Sequence, residues 1–294
     1  MRKNVLVIYN PRAGKNGAAD MLRDIVQSLR KENCRVTVFP ITDGHNSEDI
    51  IREEHQNFEY IMCCGGDGTL NHTINGLMQL ENRPYLIYLP TGSTNDFAAS
   101  LGVSKNVDIT CHAITASAPF YYDIGKFNDS YFNYVAAFGA FTEVSYSTPQ
   151  AQKNMLGHAA YIIEGIKRLP IGKYYTLTAT ANGNTYSGDY IYGSVTNSTS
   201  VGGMSIAVKD EILMNDGLFE VILIKSPKTV ADTQSLLTAL MTKNFDNPLI
   251  EYFKTDSIHF EFDKETAWTL DGEFGGDIRE CDIRVKAKAI GILK

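Results

Sequence analysis

A five-residue turn, Gly65-Gly66-Asp67-Gly68-Thr69, limits this chain more than any other segment. Before it runs Tyr60-Ile61-Met62-Cys63-Cys64, a short apolar stretch of strand character. After it Leu70, Ile74, Leu77 and Met78 recur at helical spacing. A strand handing over to a helix through a tight turn satisfies both patterns. Glycines let the backbone approach a ligand closely and take positive φ. The N–H groups at the start of the following helix, with the positive end of its dipole, suit phosphate. An aspartate among those donors is out of place for an anion alone, but it fits a phosphate that arrives with a cation. The turn therefore predicts a nucleotide-triphosphate site with a metal-linked acid, Asp67. The plainer reading is that the glycines only close a strand–helix unit. The spacing matches neither the dinucleotide fingerprint nor the Walker A loop, since Gly14-Lys15 lacks the upstream glycine and the following Ser or Thr.

Strand and helix patterns alternate over roughly the first 115 residues, as in βαβ units. Val5-Leu6-Val7-Ile8-Tyr9 is a fully apolar strand that ends in Asn10-Pro11-Arg12-Ala13-Gly14. Met21, Leu22, Ile25, Val26 and Leu29 form the buried stripe of a helix. Arg35 to Phe39 reads as a second strand and Ser47 to His55 as a helix. Tyr85 to Leu89 is a further strand, ending in Pro90-Thr91-Gly92-Ser93-Thr94-Asn95-Asp96 before a short helix through Phe97 and Leu101. Three strand ends thus carry loops of Gly, Asn, Thr and Asp, and in an open α/β sheet that edge is where ligands bind. Each loop has a bland reading too: Asn10 to Gly14 as a turn, Thr94 or Asn95 as a helix N-cap. Read as a site, Arg12 or Lys15 is available to phosphates, and the hydroxyls and amides of the third loop to a nucleotide, with Asp96 orienting metal-bound water. Two acid-bearing glycine loops on one sheet edge favour the site.

From Phe120 strands dominate. Phe120 to Phe127 and Tyr131 to Phe138 flank a turn at Asn128-Asp129, and Tyr174 to Ala181 and Tyr186 to Val195 flank Asn182-Gly183. Leu218 to Ile224, Ser257 to Phe262 and Ala267 to Leu270 continue the pattern, interrupted by a helix around Ala231 to Met241. The expectation is an α/β nucleotide-binding domain over 1–119 and a mostly antiparallel β-sandwich over 120–294, whose last strand can return to the first domain.

Composition narrows the function. A net charge of −7 argues against a nucleic-acid partner. The five cysteines include no CxxC pair, and their odd, scattered placement points to reduced thiols in a cytoplasm. The six histidines form no zinc spacing. No apolar run approaches the ~18 residues needed to span a bilayer. Any membrane contact is then peripheral.

Several motifs in the second half carry two readings. Asp123, inside the apolar Tyr121-Tyr122-Asp123-Ile124-Gly125, is either a hydrogen-bonded acid at the domain junction or a third acid in a metal–water network. Thr269-Leu270-Asp271-Gly272-Glu273 is an Asp-Gly turn or the home of a carboxylate general base. Asn215-Asp216-Gly217-Leu218 is a turn before a strand, where a cation could use Asp216 and nearby carbonyls. The stretch from Gln150 to Tyr175 sets Lys153, Lys167, Arg168 and Lys173 against Glu164, among Met155, Leu156, Tyr161, Ile162, Ile163, Ile166 and Leu169. It is a solvated helix with one core face, or a surface that touches anionic lipid headgroups.

Taken in order, these motifs resemble the soluble bacterial lipid kinases of the diacylglycerol kinase catalytic family. The matching segments are NPRAG from Asn10, CGGDGTLNHTINGL from Cys64, PTGSTNDFA from Pro90, YDIGKFNDSYFNYVAAFG from Tyr122, NDGLFEVILI from Asn215 and TLDGE from Thr269, so the likeness runs over nearly the whole chain. The resemblance implies an N-terminal α/β nucleotide domain, a C-terminal β-sandwich and a cleft between them. It implies ATP and Mg²⁺. Asn10, Pro11, Arg12, Ala13, Gly14, Thr42, Gly65, Gly66, Asp67, Gly68, Thr69, Leu70, Asn71, Ser93 and Thr94 fall on its nucleotide-contacting segments. Asp67, Asp96 and Asp123 match acids that organise the catalytic Mg²⁺ through water, and Asp271 or Glu273 the proton acceptor. Asp216, with the carbonyls of Leu213 and Leu218, matches a second, structural Mg²⁺ site; Val208 stands upstream where similar chains often carry Pro.

The activity so implied is ATP- and Mg²⁺-dependent phosphorylation of a lipid hydroxyl, with diacylglycerol giving phosphatidic acid as the first expectation. The acceptor would be a membrane lipid met by peripheral contact, and an exposed strand edge could pair two copies as a homodimer. Two rivals stand beside it: a kinase of a soluble acceptor, of the NAD kinase type that shares GGDGT, and a nucleotide-binding regulator without catalysis. The intact acids oppose the second, and the late Asp-Gly-Glu and the Asn-Asp-Phe-Ala helix oppose the first.

Overall fold

The structure is a computed structural model of the 294-residue chain. It describes residues 2–13, 18–93, 95–139, 174–198, 200–201, 204–205, 213–242 and 244–294. The chain divides into two compact units, Met1–Ile124 with Ala287–Lys294, and Gly125–Lys286.

The first unit runs β1 (Lys3–Tyr9), α1 (Ala18–Lys31), β2 (Cys34–Pro40), α2 (Ser47–Glu54), a 3-10 turn (His55–Asn57), β3 (Tyr60–Gly65), α3 (Asp67–Met78), β4 (Tyr85–Pro90), α4 (Asp96–Leu101) and α5 (Val107–Ala116). Its strands are parallel in the order β2-β1-β3-β4, with Ile292 and Leu293 of a late strand, β15 (Glu273–Leu293), pairing beside Leu86 and Ile87 of β4. Strands covered on both faces read as continuous apolar runs, and Val5 to Ile8 and Ile61 to Cys63 are indeed fully buried. Each such large side chain contributes roughly 1.5–3 kcal/mol on burial. Helix starts are set by side chains: Asn46 caps α2 in a reciprocal capping box with Asp49, and Asn106 caps α5 through the N–H of Ile109. Gly102, at φ +66°, ends α4 in the left-handed region.

The second unit takes in the end of β5 (Phe120–Phe127), then β6 (Ser130–Phe132), β7 (Val135–Gly139), β8 (Tyr175–Ala181), β9 (Asn184–Thr196), the short β10 (Ser200–Val201) and β11 (Met204–Ser205), β12 (Phe219–Lys225), α6 (Val230–Thr242), β13 (Ile250–Thr255), β14 (Ser257–Leu270) and most of β15. β13, β12 and β9 neighbour one another. β8 and β7 pair with successive halves of both β9 and β14. β15 then flanks β14, and β5 and β6 follow. Apart from the β10–β11 pair these strands are joined in one antiparallel path, where two stacked sheets were expected. The path curls back over its own core: the rings of Phe132 (β6) and Phe219 (β12) lie 5.5 Å apart, and Phe127 and Phe138 lie 5.0 and 4.9 Å from Trp268. α6 packs on a separate cluster through Leu236 and Ala239, against Ile191, Ile222, Ile224 and Ile250.

Two turns form where expected. Asn128-Asp129 joins Phe127 to Ser130 with Asn128 at φ +47°, and Asn182-Gly183 joins Ala181 to Asn184 with both residues at positive φ. The strand expected over Tyr131 to Phe138 is broken at Asn133-Tyr134, because an acid far along the chain takes those backbone N–H groups. The segments expected at Ser257 to Phe262 and Ala267 to Leu270 are one strand with register shifts. α5, β13 and the full length of β15 are elements the patterns above did not reveal.

Candidate functional site

The C-terminal ends of β1, β3 and β4 bring their loops together on one edge of the first unit. β1 has β2 on one side and β3 on the other, so the chain order reverses there, the place where open α/β sheets bind ligands. Asn10 sits at that point. Its N–H donates to the Cys64 carbonyl at 2.9 Å, its Nδ2 donates to Thr69 Oγ1 at 3.2 Å, and its Oδ1 accepts from the Arg12 N–H at 2.9 Å. One side chain thus fixes both the first loop and the glycine turn.

The two acid-bearing glycine loops touch backbone to backbone. A Cβ on Gly92 would lie 2.6 Å from the Gly66 Cα, and a Cβ on Gly66 would lie 3.2 Å from the Gly92 Cα. The Thr91 N–H donates to the Gly65 carbonyl at 2.9 Å. On Gly65 a Cβ would collide with the Thr69 side chain. Asn95, buried at φ +54°, braces the third loop: its Oδ1 accepts from the Gly92 N–H at 3.0 Å and its Nδ2 donates to the Gly92 carbonyl at 2.7 Å. The carboxylate of Asp67 accepts from the Asp96 N–H at 3.3 Å, so the acid of one loop receives the helix start of the other. α3 begins at Asp67 behind Gly66, with no side-chain cap, which leaves its N-terminus open for an anion.

Other expected residues fall around this edge. Leu70 is fully buried and Asn71 nearly so. Pro11 and Ser93 are exposed, and Ala13 half-buried. Thr42 is exposed and bridges to His45 in the loop after β2. The Arg12 guanidinium grips Asp43 of that loop with two 2.8 Å contacts, both side chains solvent-exposed. No local sequence signal marks Asp43; only a pairing 31 positions away reveals it. Gly14 and Thr94 lie outside the described residues. Asp123 is fully buried at the end of the unit, and its carboxylate accepts from the Lys288 N–H at 2.6 Å. Lys288 holds φ +50°, a costly conformation for a side-chain-bearing residue that this bond offsets.

The second unit carries the late acids. Asp271, at φ +53°, is buried. Its carboxylate accepts from the N–H of Asn133 at 2.7 Å, of Tyr134 at 2.9 Å and of Val135 at 3.1 Å. Its own N–H donates to the Val135 carbonyl at 2.8 Å. This is a structural clamp on the β6–β7 break. Glu273, two residues on, is exposed at the first position of β15. Of the two carboxylates, Glu273 is the one exposed to solvent. Asp216 makes an Asx turn, its Oδ1 accepting from the Leu218 N–H at 3.0 Å, and its Oδ2 lies 3.8 Å from the Lys254 ammonium.

Metal chemistry separates the two implied ions. Among the described residues no three His, Cys, Asp or Glu side chains are grouped to hold a metal. Asp67, with hard oxygen donors beside an open helix N-terminus, suits an ion that arrives already bound to phosphates. Asp216 does not fit a resident divalent ion, since one oxygen serves the backbone and the other faces an ammonium.

With this geometry in place, the likeness to known proteins is specific. The profile of the diacylglycerol kinase catalytic domain matches residues 4–127. A diacylglycerol kinase of Bacillus subtilis (strain 168) is 31% identical over 279 residues, 93% of this chain and 91% of its own length. A diacylglycerol kinase of Staphylococcus aureus (strain MRSA252) is 30% identical over 279 residues, 95% of this chain and 88% of its own. The crystal structure of a Bacillus anthracis (strain Sterne) protein assigned to the diacylglycerol kinases superposes with a TM-score of 0.83 at 26% identity, covering 99% of this chain and 96% of that one. The class is therefore that of the lipid kinases. Within it, this chain belongs to the diacylglycerol kinase family.

Proposed function

We propose that the enzyme transfers the γ-phosphoryl group of ATP to the hydroxyl of a membrane lipid, with diacylglycerol as acceptor and phosphatidic acid as product. The observation that carries this reading is the docking of Asp67, at the uncapped start of α3, onto the second acid-bearing glycine loop through the Asp96 N–H. Phosphoryl transfer asks a protein for in-line positioning, charge neutralisation and a proton acceptor. The absence of side chains at Gly65, Gly66 and Gly92 lets the glycine turn and the third loop close on each other, and the α3 N-terminus favours the phosphate charge. Asp67 would hold the phosphate-bound Mg²⁺, with Asp96 and Asp123 ordering its surroundings, and the ion would supply charge screening and orientation. Asn10 keeps the first loop and Thr69 in register for this.

Glu273 takes the proton of the attacking lipid hydroxyl as the new P–O bond forms and the bond to the β-phosphate oxygen of ADP breaks. Asp271 does not share that role; it shapes the turn from which Glu273 projects. The lipid is met at a membrane surface by peripheral contact, since no described helix is long and apolar enough to cross one. The basic stretch from Gln150 to Tyr175, proposed for that contact, lies outside the described residues up to Lys173.

Radiolabelled ATP offered with a panel of lipids in mixed micelles tests the proposal, with NAD as a soluble competitor acceptor. Label entering diacylglycerol, Mg²⁺-dependent and lost in Asp67→Asn, is the expected result. Label entering NAD alone, or no lipid labelled while ATP binds, overturns it.

A further inference from the structure

We propose that the position of the implied structural Mg²⁺ is held in this chain by its own cation, the Lys254 ammonium, so that the second unit is built to stand without a metal. Lys254 on β13 lies directly across from Glu220 on β12, and its Nζ is 3.1 Å from Glu220 Oε1 and 3.8 Å from Asp216 Oδ2. The ammonium therefore sits between the acid of the Asn215–Leu218 turn and a second acid behind it. Glu220 is 98% buried by its side chain, and its Oε2 finds no hydrogen-bond partner among the described residues.

Burial drives the Glu220 carboxyl toward its neutral form, and the Lys254 hydrogen bond opposes that. Burial likewise works against the Lys254 charge, and the contacts to Glu220 and Asp216 offset it. Lys254 cannot leave without stranding a buried carboxylate, the costly way to break an ion pair. While it stays, a divalent ion on Asp216 Oδ2, at the usual Mg²⁺ distance of about 2.1 Å, would face a like charge within a few ångström. The remaining donors implied for the metal are two neutral carbonyls, of Leu213 and Leu218, and Asp216 Oδ1 already serves the Leu218 N–H. One lysine anchored by a buried glutamate thus does what the ion would do: it neutralises Asp216 and pins the turn to the β12–β13 pair.

The chain's single tryptophan, Trp268, is buried in the core of the second unit, so its fluorescence reports that unit alone. The experiment is thermal unfolding of the nucleotide-free full chain by Trp268 fluorescence, in MgCl₂ and in EDTA, with Mg²⁺ titrated by calorimetry. Neither turnover nor ATP enters, so the outcome is independent of the proposed activity. Wild-type protein is expected to melt at the same temperature in both buffers and to bind no Mg²⁺. Lys254→Met is expected to melt lower by on the order of 10 °C. The double variant Glu220→Gln, Lys254→Met should recover most of that loss, and it carries the comparison if the single variant does not fold. A wild-type melt that falls in EDTA, recovers with Mg²⁺ and loses this response in Asp216→Asn overturns the proposal. So does a Lys254→Met protein as stable as wild type.

Discussion

Asp271 and Glu273 stand two positions apart in one sequence motif and do unlike things. Three backbone N–H groups point at the Asp271 carboxylate, whereas Glu273 is exposed. Charge-assisted bonds to buried N–H groups are among the stronger hydrogen bonds, and their loss leaves the donors unsatisfied. Asp271→Asn is therefore expected to cost about 2–4 kcal/mol of stability in denaturant titration. Glu273→Gln should melt like wild type and lose ~10²-fold or more in turnover, the range of general base catalysis, with ATP affinity kept. The reverse pattern, turnover lost only in a stable Asp271→Asn, would show the roles exchanged. The motif offered both acids and no way to choose, because the partners of Asp271 lie 136 to 138 positions away. The Lys254–Glu220 pair is hidden in the sequence for the same reason: it depends on a strand register. Asp67, in contrast, was legible because its chemistry is local, an acid set among glycines at the start of a helix.

At the scale of elements, the glycine loops are a packing device. Gly92→Ala would push a methyl to 2.6 Å from the Gly66 Cα, and backbone cannot yield there as a flexible side chain could. The two loops must part, so ATP affinity should fall at least tenfold in equilibrium binding; unchanged affinity would mean that the contact has no part in the site. The β14–β15 pair carries a second testable feature. His259 lies across from Asp282, 3.0 Å from Nδ1, with Glu261 at 3.3 Å and Glu280 at 3.7 Å from Nε2, and Arg284 beside Asp282. Partial burial disfavours the imidazolium, but the hydrogen bonds to Asp282 and then Glu261 outweigh it and raise the pKa above 6.5. A raised folded value means stability that is complete below the unfolded pKa and is lost as pH climbs through the folded one. The melting difference between wild type and His259→Gln should be full at pH below 6.5 and fade above it; a constant difference across that range refutes the linkage. The parallel strands and the hairpin turns were readable, since apolar runs and Asn-Gly pairs are local signals. α5 was not, because Val107–Ala116 carries only a thin apolar face, and β13 was not, because Ile250–Thr255 mixes apolar and polar residues without alternation. β15 does alternate through Cys281, Ile283 and Val285, but it opens on Phe274-Gly275-Gly276, which reads as a loop.

For the whole molecule, reversible surface contact is the proposed route to a lipid substrate. Neutralising Lys153, Lys167, Arg168 and Lys173 together should abolish sedimentation with anionic vesicles at low salt, since each contributes about 1 kcal/mol near such a surface. Activity on a short-chain, water-soluble acceptor should survive; unchanged vesicle binding would place the contact elsewhere. The strand-rich, two-part character was foreseeable from the shift in texture near Phe120. That the sheet of the first unit is finished by residues from the far end was foreseeable only as an option, since Ile292 and Leu293 pair with β4 across some two hundred positions. Their burial has a consequence for biosynthesis. When β4 leaves the ribosome its outer edge has no neighbour, and Ile290, Ile292 and Leu293, all buried in the finished fold, are still untranslated. Between Ile124 and Ala287 translation takes on the order of ten seconds. The second unit has that interval in which to fold, while an apolar strand edge stays open to association with other chains. The unit that is started first is the one completed last.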